Sequence, residues 1–333
     1  MERARSHSVD RVSDTSVPTP PSTDRTGQPV DHRTRDTGTY RLADREVRRV
    51  GYGAMQLPGP GVFGPPRDRD EALRVLRRAV ELGVNHIDTA QFYGPRVSNE
   101  LIRAALHPYG DDLALVSKVG AVRDDAGAWL PAQRPEQLRA DVEDNLRTLG
   151  VDHLTVVNLR RTDEHTEGVE GETTPDVPLE DQLAELVALR DEGKIAGIGL
   201  STVSAAQLAE ARSVTEIVCV QNAFSLVDQT DAEVLDACTA AGIAYVPYFP
   251  LGSAFPHLPK VADQPAVRAV AVRHGVPPAR VGLAWLLARA ENVLLIPGTS
   301  SVAHLEDNLA VGDLVLTDDD LEALSVAAFV TQE

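Results

Sequence analysis

From about residue 50 onward, short apolar runs alternate with longer amphipathic segments. A short run rich in Val, Ile and Leu predicts a strand that is buried on both faces. A segment whose apolar positions recur about every 3.6 residues predicts a helix that packs one face against such strands. The pattern therefore predicts a series of β/α units.

Eight predicted strands each precede a helix. The strands are expected at 50–55, 84–88, 113–117, 154–159, 195–200, 217–220, 243–246 and 293–296. A pair of short polar strands is expected from Thr39, ahead of the first unit. Helix starts follow from cap residues, with Asp68 or Asp70 expected to cap the first helix and Ser98 the second. A loop that holds Trp129 is expected before the helix that starts at Pro135.

Eight such units predict an α/β fold, a closed (β/α)8 TIM barrel. An open doubly wound sheet is the alternative, and it would predict a G-x-G-x-x-G turn after an early strand. The segment Gly51-Tyr52-Gly53-Ala54-Met55-Gln56 lacks the third glycine. We therefore predict one barrel domain over residues 39–333.

Residues 1–38 differ in composition from the barrel. Within 1–36, Ser, Thr, Pro, Arg and Asp dominate, and six arginines balance six acidic residues. A segment so poor in apolar groups cannot offset the entropy of ordering, so we predict a disordered polar tail. It has no apolar core of a signal peptide, and its acidic residues are atypical of a transit peptide.

The net charge of −18 belongs to the barrel and disfavours nucleic acid and anionic membranes as partners. No run approaches the ~18 apolar residues of a membrane span. Cys219 and Cys238 are the only cysteines, which predicts a cytoplasmic protein with a buried free thiol at Cys219. No metal site is predicted, and the oligomeric state is left open.

Candidate catalytic residues lie at and just after the ends of two predicted strands. Asp88 ends one strand, Tyr93 follows five residues later, and Lys118 ends the next strand. Tyrosine and lysine in such places are, taken singly, more often surface or packing residues. Both, however, lie just past strand ends, where barrels place their active sites. An ammonium beside a phenol favours the phenolate, and a carboxylate holds the ammonium charged, so we predict one catalytic group from the three.

Two late loops suit a bound phosphate. Pro250-Leu251-Gly252-Ser253 follows the seventh strand, and Pro297-Gly298-Thr299-Ser300-Ser301 follows the eighth and leads into a helix. Small residues let backbone N–H groups approach an anion, and a helix N-terminus adds a favourable dipole. A Gly-Thr-Ser-Ser segment is also an ordinary helix cap, but after the last strand of a barrel we predict coenzyme binding.

These residues resemble the aldo-keto reductase family from Thr39 to the C-terminus. The matching segments are Asn85-His86-Ile87-Asp88-Thr89-Ala90, Tyr93-Gly94, Ser117-Lys118, Gly199-Leu200-Ser201, Val220-Gln221-Asn222, Tyr248-Phe249-Pro250-Leu251-Gly252, Ile296-Pro297-Gly298-Thr299-Ser300 and His304-Leu305-Glu306-Asp307-Asn308. The segments 51–57 and 156–160 are similar to the bacterial pyridoxal reductase-like branch.

The resemblance implies NADPH, or NADH, bound without a Rossmann domain. Tyr93 would donate the proton, tuned by Lys118 and Asp88. Ser201 and Gln221 would hold the nicotinamide carboxamide, and Tyr248 would stack on its ring. The full set of implied coenzyme residues is Gly53, Ala54, Met55, Ser201, Gln221, Tyr248, Leu251, Gly252, Ser253, Gly298, Thr299, Ser300, Ser301, His304, Asp307 and Asn308.

Three positions depart from the family pattern. Leu159-Arg160 stands where a histidine is usual after the fourth strand, Thr202 replaces an asparagine, and His304 replaces an arginine. His153 precedes the fourth strand and so lies at the opposite end of the barrel. We assign Arg160 as a fourth catalytic residue that donates to the carbonyl oxygen. Its alternative role is to pair with the acidic loop 163–172.

The first hypothesis is an NADPH-dependent oxidoreductase that reduces a small aldehyde or ketone to the alcohol, with a pyridoxal-like substrate as the best single choice. The second is an NADP(H)-binding sensor or regulatory protein with little turnover, motivated by the missing histidine. The intact Asp88, Tyr93 and Lys118 favour the enzyme. The implied partner is a small carbonyl compound.

Overall fold

A computed structural model describes residues 37–161, 177–252 and 259–330 of the chain, with side chains to residue 325. The predicted tail before residue 37, the acidic loop 163–172 and Ser253 lie outside the described residues. The described residues fall in one compact unit. The boundary between residues 38 and 39 stays a prediction.

The strands alternate with helices, as the apolar pattern predicts. In chain order they are β1 Thr39–Leu42, β2 Arg45–Arg48, β3 Tyr52–Gly53, β4 His86–Asp88, β5 Ala114–Val119, β6 Ala121–Arg123, β7 Trp129–Pro131, β8 Leu154–Arg160, β9 Ile195–Ser201, β10 Cys219–Gln221 and β11 Ala244–Tyr245. Seven of them form a parallel sheet in the spatial order β3-β4-β5-β8-β9-β10-β11. Sequential parallel neighbours are expected when each crossover contains a helix.

Residues 293–295 close the sheet into a barrel. Val293 bridges Tyr245 at one edge, and Leu295 bridges Val50 at the other. The eighth predicted strand is therefore present as single bridges, and the (β/α)8 prediction is confirmed. The Arg49 guanidinium stabilises this closure. It donates to the carbonyl of Val293 at 3.1 Å and to the carbonyls of Leu287 and Ala290.

Helices fill the intervals between the strands. They are α1 Arg69–Glu81, α2 Val97–Leu106, α3 Pro135–Leu149, α4 Leu179–Asp191, α5 Ala205–Val214, α6 Ala232–Ala241, α7 Pro265–His274, α8 Pro278–Arg289, α9 Val302–Leu309 and α10 Asp318–Val330. Asp68 caps α1 by accepting the N–H of Glu71 at 2.9 Å, as predicted. The cap predicted for α2 is wrong, because Ser98 lies inside that helix and donates its hydroxyl to the Ala54 carbonyl.

Two antiparallel hairpins lie outside the barrel sheet. The β1–β2 hairpin places Leu42 and Val47 among the apolar side chains that fill the barrel interior, so it plugs one end. The β6–β7 hairpin includes Trp129, where the sequence predicts only a loop. The two strands have three residues each and are mostly half-buried, so they lack the long apolar run that marks the barrel strands.

The larger core lies between the barrel and its helices. Helix α1, for example, buries Ala72, Val75, Leu76 and Ala79 on one face. Fully burying one such leucine side chain stabilises the fold by about 1.5–3 kcal/mol. A smaller core fills the barrel below the site.

None of the described helices is long and apolar enough to cross a membrane.

Candidate active site

Asp88 and Lys118 meet at the ends of two neighbouring strands. Strands β4 and β5 pair in parallel, and Asp88 lies opposite Val116. Because side chains alternate along a strand, Lys118 shares the inward face of Val116. The Lys118 ammonium donates to the Asp88 carboxylate and, at 3.1 Å, to the Thr89 carbonyl. Both side chains are almost fully buried, so the two charges depend on each other.

Tyr93 completes the predicted catalytic group. Its ring centroid lies 5.1 Å from the Lys118 Nζ, and Phe92 packs edge-on against it at 5.2 Å. The tyrosine is 5% exposed, which leaves it buried in the protein but next to the barrel mouth. The structure therefore brings Asp88, Tyr93 and Lys118 together, as their positions after the strands predict.

The sequence predicts that the Lys118 ammonium favours the phenolate form of Tyr93, and the structure differs from that expectation. Burial raises the pKa of Tyr93, and the opposing effect of Lys118 does not overcome it. Burial is the largest effect on the Lys118 ammonium and lowers its pKa, but the charges and hydrogen bonds of Asp88 and Tyr93 together outweigh burial, so the pKa of Lys118 lies above its ordinary value. The phenol thus stays protonated and the amine charged, which is the state that a proton donor needs.

Gln221, at the end of β10, has a contact that the sequence did not indicate. Its Nε2 donates to the second Asp88 oxygen at 2.6 Å, so it helps to hold the carboxylate. Its Oε1 is buried without a hydrogen-bond partner among the described residues. A buried acceptor of this kind fits the N–H of a carboxamide, which is the role that the resemblance implies for Gln221.

Arg160 lies near Trp129, which packs against Phe92 next to Tyr93. Its guanidinium carbon is 5.4 Å from the Trp129 ring centroid, and that of Arg123 is 4.2 Å from the same ring. Phe92 packs edge-on against Trp129 at 5.2 Å. The charge of Arg160 also acts on Tyr93 by lowering its pKa, against the larger effect of burial. The predicted alternative partner, the acidic loop, lies outside the described residues.

Trp129 is a site residue that the sequence analysis missed. Both guanidinium groups lie close to its ring, and it packs in a small apolar cluster with Phe92, Tyr93 and Met55. The available signal was composition, since the chain has only two tryptophans. The β6–β7 hairpin positions the ring, and no apolar pattern marks that hairpin.

The first and last barrel units approach each other at two glycines. A Cβ at Gly53 would lie 2.5 Å from the Ile296 carbonyl oxygen, and one at Gly298 would lie 2.7 Å from the Gly53 carbonyl oxygen. Larger residues would push these segments apart. Gly298 and Ser300 are exposed, so their backbone is open to a ligand.

Several predicted coenzyme residues lie at the end of β9 and in the segment that follows β11. Tyr248 is half-buried, and its hydroxyl lies 3.4 Å from the Thr202 Oγ1. Gly252 has a φ of +84°, which favours glycine. Ser201 is buried at the end of β9, and Leu251 is half-buried. Ser253 lies outside the described residues.

The start of α9 holds the other predicted coenzyme residues. Thr299 accepts the N–H of Ser301 at 3.1 Å. Glu71 accepts the N–H of Val302 at 3.1 Å, so a carboxylate already occupies this helix start. A phosphate bound there must displace it. Three further members follow along α9: His304 and Asp307 are exposed and Asn308 is buried.

Ala54 and Met55 come directly after β3. Ala54 is buried, and Met55 packs against the cluster that contains Tyr93. The structure thus places the described members of the predicted coenzyme set at or after the ends of β3, β9, β10 and β11, in the segment before α9 and along α9. All of these elements belong to the same barrel, on the side where the strands end.

Asp141, a buried carboxyl in α3, makes the free energy of unfolding depend on pH. Burial raises the pKa of its carboxyl from 3.8 to about 7, against hydrogen bonds from Gly120 and Gln91. A folded pKa above the unfolded one means that stability falls as pH rises from about 4 to 7. Asp141→Asn should therefore be more stable than the native chain by under about 1 kcal/mol near pH 4, and by up to about 4 kcal/mol near pH 8.

Urea unfolding of both chains across this pH range measures the difference. Glu136→Gln, at an exposed carboxylate in the first turn of the same helix, is the control and should lack this gain at high pH. An advantage of Asp141→Asn that does not grow with pH would contradict the titration.

Known proteins share both sequence and fold with the chain. A profile of the Aldo/keto reductase family matches residues 49–327. Pyridoxine 4-dehydrogenase of Escherichia coli K12 is 49% identical over 288 residues, which cover 86% of this chain and 97% of that protein. An uncharacterised oxidoreductase of Schizosaccharomyces pombe is 37% identical over 280 residues, 84% of this chain and 86% of that protein.

Solved structures match over most of the chain. A thermostable aldo-keto reductase in complex with the inhibitor epalrestat superposes with a TM-score of 0.72 at 28% identity, covering 87% of this chain and 99% of that one. Glycerol dehydrogenase of Gluconobacter oxydans gives the same TM-score at 23% identity, with 87% and 95% covered, and shows likeness of fold alone.

Proposed function

The chain belongs to the aldo/keto reductase family, and we propose that it is an NADPH-dependent oxidoreductase that reduces a small aldehyde or ketone to the alcohol. One observation carries the proposal. The Lys118 ammonium lies between the Asp88 carboxylate and the Tyr93 ring, buried at the ends of barrel strands. This is an arrangement for moving a proton, in a family of oxidoreductases.

Each side chain has a distinct part in the proposed reaction. The nicotinamide coenzyme supplies the hydride when it is bound. Tyr93 donates its proton to the carbonyl oxygen, and Lys118 stabilises the phenolate that remains. Asp88 keeps the ammonium charged and fixed, and Gln221 holds Asp88. Arg160 favours the developing negative charge on the oxygen by donating a hydrogen bond.

The residues around the last strands are suited to hold the coenzyme. The unpartnered Gln221 Oε1 would accept from the carboxamide, with Ser201 beside it at the register-paired end of β9. Tyr248 would support the nicotinamide ring. The exposed backbone at Gly298 and Ser300 would take the phosphates, after displacement of Glu71 from the start of α9.

We propose a pyridoxal-like substrate. Identity of 49% to a protein named pyridoxine 4-dehydrogenase supports this choice. Trp129 adds a second support, because its ring packs in the same cluster as Tyr93 and Phe92 and gives the site an aromatic surface. The guanidinium groups of Arg123 and Arg160 lie near that ring and place two positive charges beside it.

Consumption of NADPH with a panel of carbonyl compounds tests the function. We expect turnover with pyridoxal and simple aromatic aldehydes, weaker turnover with methylglyoxal, and lower rates with NADH than with NADPH. Pyridoxal phosphate measures whether the site admits a phosphorylated ring. Tight binding of NADPH without hydride transfer to any compound in a single turnover would instead indicate a nucleotide sensor.

We also propose a cytoplasmic location and a polar tail over residues 1–38 ahead of the single barrel. Cys219 and Cys238 are free and buried, which agrees with a reducing compartment. The composition of the tail supports its separation from the barrel.

A further inference from the structure

A set of buried polar side chains lies behind β4 and β5, against helices α2 and α3. None of them has a part in the proposed reaction. The members are Thr89, Gln91, Asn99, Ser117, Asn145 and Thr148. Burying polar groups costs free energy unless each is hydrogen-bonded, and a satisfied polar network fixes geometry more strictly than apolar contacts do. The network is therefore a candidate for a positioning role.

Asn145, in α3, is the centre of this network. Its Oδ1 accepts from the Ser117 hydroxyl at 2.6 Å and from the Asn99 Nδ2 at 2.9 Å. Its Nδ2 donates to the Gln91 Oε1 at 3.0 Å and to the Asp141 carbonyl at 2.9 Å. The amide thus uses both donors and both acceptor positions. Its orientation is fixed from four directions.

The network reaches the neighbours of both charged catalytic residues. Ser117 precedes Lys118 on β5, and because side chains alternate, Ser117 faces α3 while Lys118 faces the barrel interior. Thr89 follows Asp88 and donates its hydroxyl to the Asn99 Oδ1 at 2.8 Å. The carbonyl of the same Thr89 accepts from the Lys118 ammonium at 3.1 Å. One anchored residue therefore supports the ammonium directly.

The third connection runs to the turn that carries Tyr93. Gln91 accepts from Asn145 and donates its Nε2 to the Ala121 carbonyl at 3.2 Å. Its own carbonyl accepts the N–H of Arg96 at 2.6 Å, so the turn between these residues is tied at its start. Tyr93 lies within that turn, so the network fixes the position of the residue from which the turn starts.

We propose that Asn145 is a positioning residue, which holds Asp88, Tyr93 and Lys118 in their mutual geometry through Ser117, Thr89 and Gln91. The inference rests on the proposed function of the catalytic group. It assigns to a helix behind the barrel a share in the catalytic rate. A displacement of a catalytic side chain by about 1 Å can lower a rate about a hundredfold, so the expected effect is measurable.

Two variants test the role at different severity. Asn145→Leu removes all four hydrogen bonds, and we expect kcat to fall about tenfold to a hundredfold with the dissociation constant of NADPH within about twofold. Ser117→Ala removes one bond, and kcat should fall about three- to tenfold. Val142→Ala is the control, since Val142 is buried on the same helix among apolar residues. It should lose stability and keep its kcat.

A second readout does not depend on turnover. Carbon-13-labelled tyrosine reports the titration of Tyr93, whose resonance is identified by its loss in Tyr93→Phe. We expect the apparent pKa of Tyr93 to shift in Asn145→Leu and Ser117→Ala, and to stay unchanged in Val142→Ala. Native kcat and native Tyr93 titration in a folded Ser117→Ala protein would overturn the positioning role.

Equal changes in Val142→Ala would overturn it too, because they would reduce the effect to lost stability. If the native chain turns over no carbonyl compound, the proposed function fails, and the Tyr93 titration still decides whether the network positions the phenol.

Discussion

Replacing Tyr93 by Phe is expected to lower kcat for carbonyl reduction by about 10²–10⁴, the effect of losing a general acid. The variant should fold, because Phe retains the edge-on contact with Phe92 and loses only the hydroxyl. NADPH should bind with nearly native affinity. Steady-state kinetics with a pyridoxal-like aldehyde, together with a coenzyme titration, measures both quantities.

Tyr109→Phe is the matched control for that experiment. The Tyr109 hydroxyl donates to the Leu149 carbonyl at 2.7 Å, behind α3 and away from the barrel mouth. Its loss should affect stability and leave kcat unchanged. If Tyr93→Phe turned over like the native chain while holding NADPH, the proton would have to come from another group.

Replacing Lys118 by Met should remove measurable turnover and also weaken the fold. Asp88 would remain as a buried charge supported by Gln221 without its cationic partner. Breaking a buried pair in this way costs about 3–5 kcal/mol. Urea unfolding measures the loss of stability, and single-turnover reduction measures the loss of chemistry.

The double variant Lys118→Met, Asp88→Asn separates the two effects. It removes both charges, so we expect most of the lost stability to return, while turnover stays absent. Activity in the double variant would show that the ion pair serves the fold alone. A single Lys118→Met variant with native stability would contradict the dependence of the buried carboxylate on its partner.

Much of the fold was predictable, because the barrel strands are almost entirely buried and lie in short, mainly apolar runs. The helices also follow from their periodic apolar positions and from caps such as Asp68. The wrong cap at Ser98 and the unpredicted β6–β7 hairpin have local causes. Ser98 precedes an apolar segment and so looks like a cap, but a tertiary contact with Ala54 uses its hydroxyl. The β6–β7 hairpin has strands of only three residues each, which is too short for a recognisable apolar period.

The proximity of the proposed catalytic residues was predictable for a geometric reason. Residues that end neighbouring parallel strands must lie close together, which holds for Asp88 and Lys118. The contact between Gln221 and Asp88 was not, since it depends on side-chain conformations across the barrel. Nor was the net protonation of Tyr93, because the extent of burial, which decides the direction of the pKa, is a property of the whole fold.

Closure of the barrel between Val50 and Leu295 has a consequence for synthesis of the chain. The first barrel strand can pair with residues 293–295 only after the intervening units have been synthesised and have left the ribosome. Until then the growing sheet has a free edge that other chains can pair with. Productive folding of this enzyme therefore depends on the unit that contains residues 293–295, and products that stop before it are expected to aggregate.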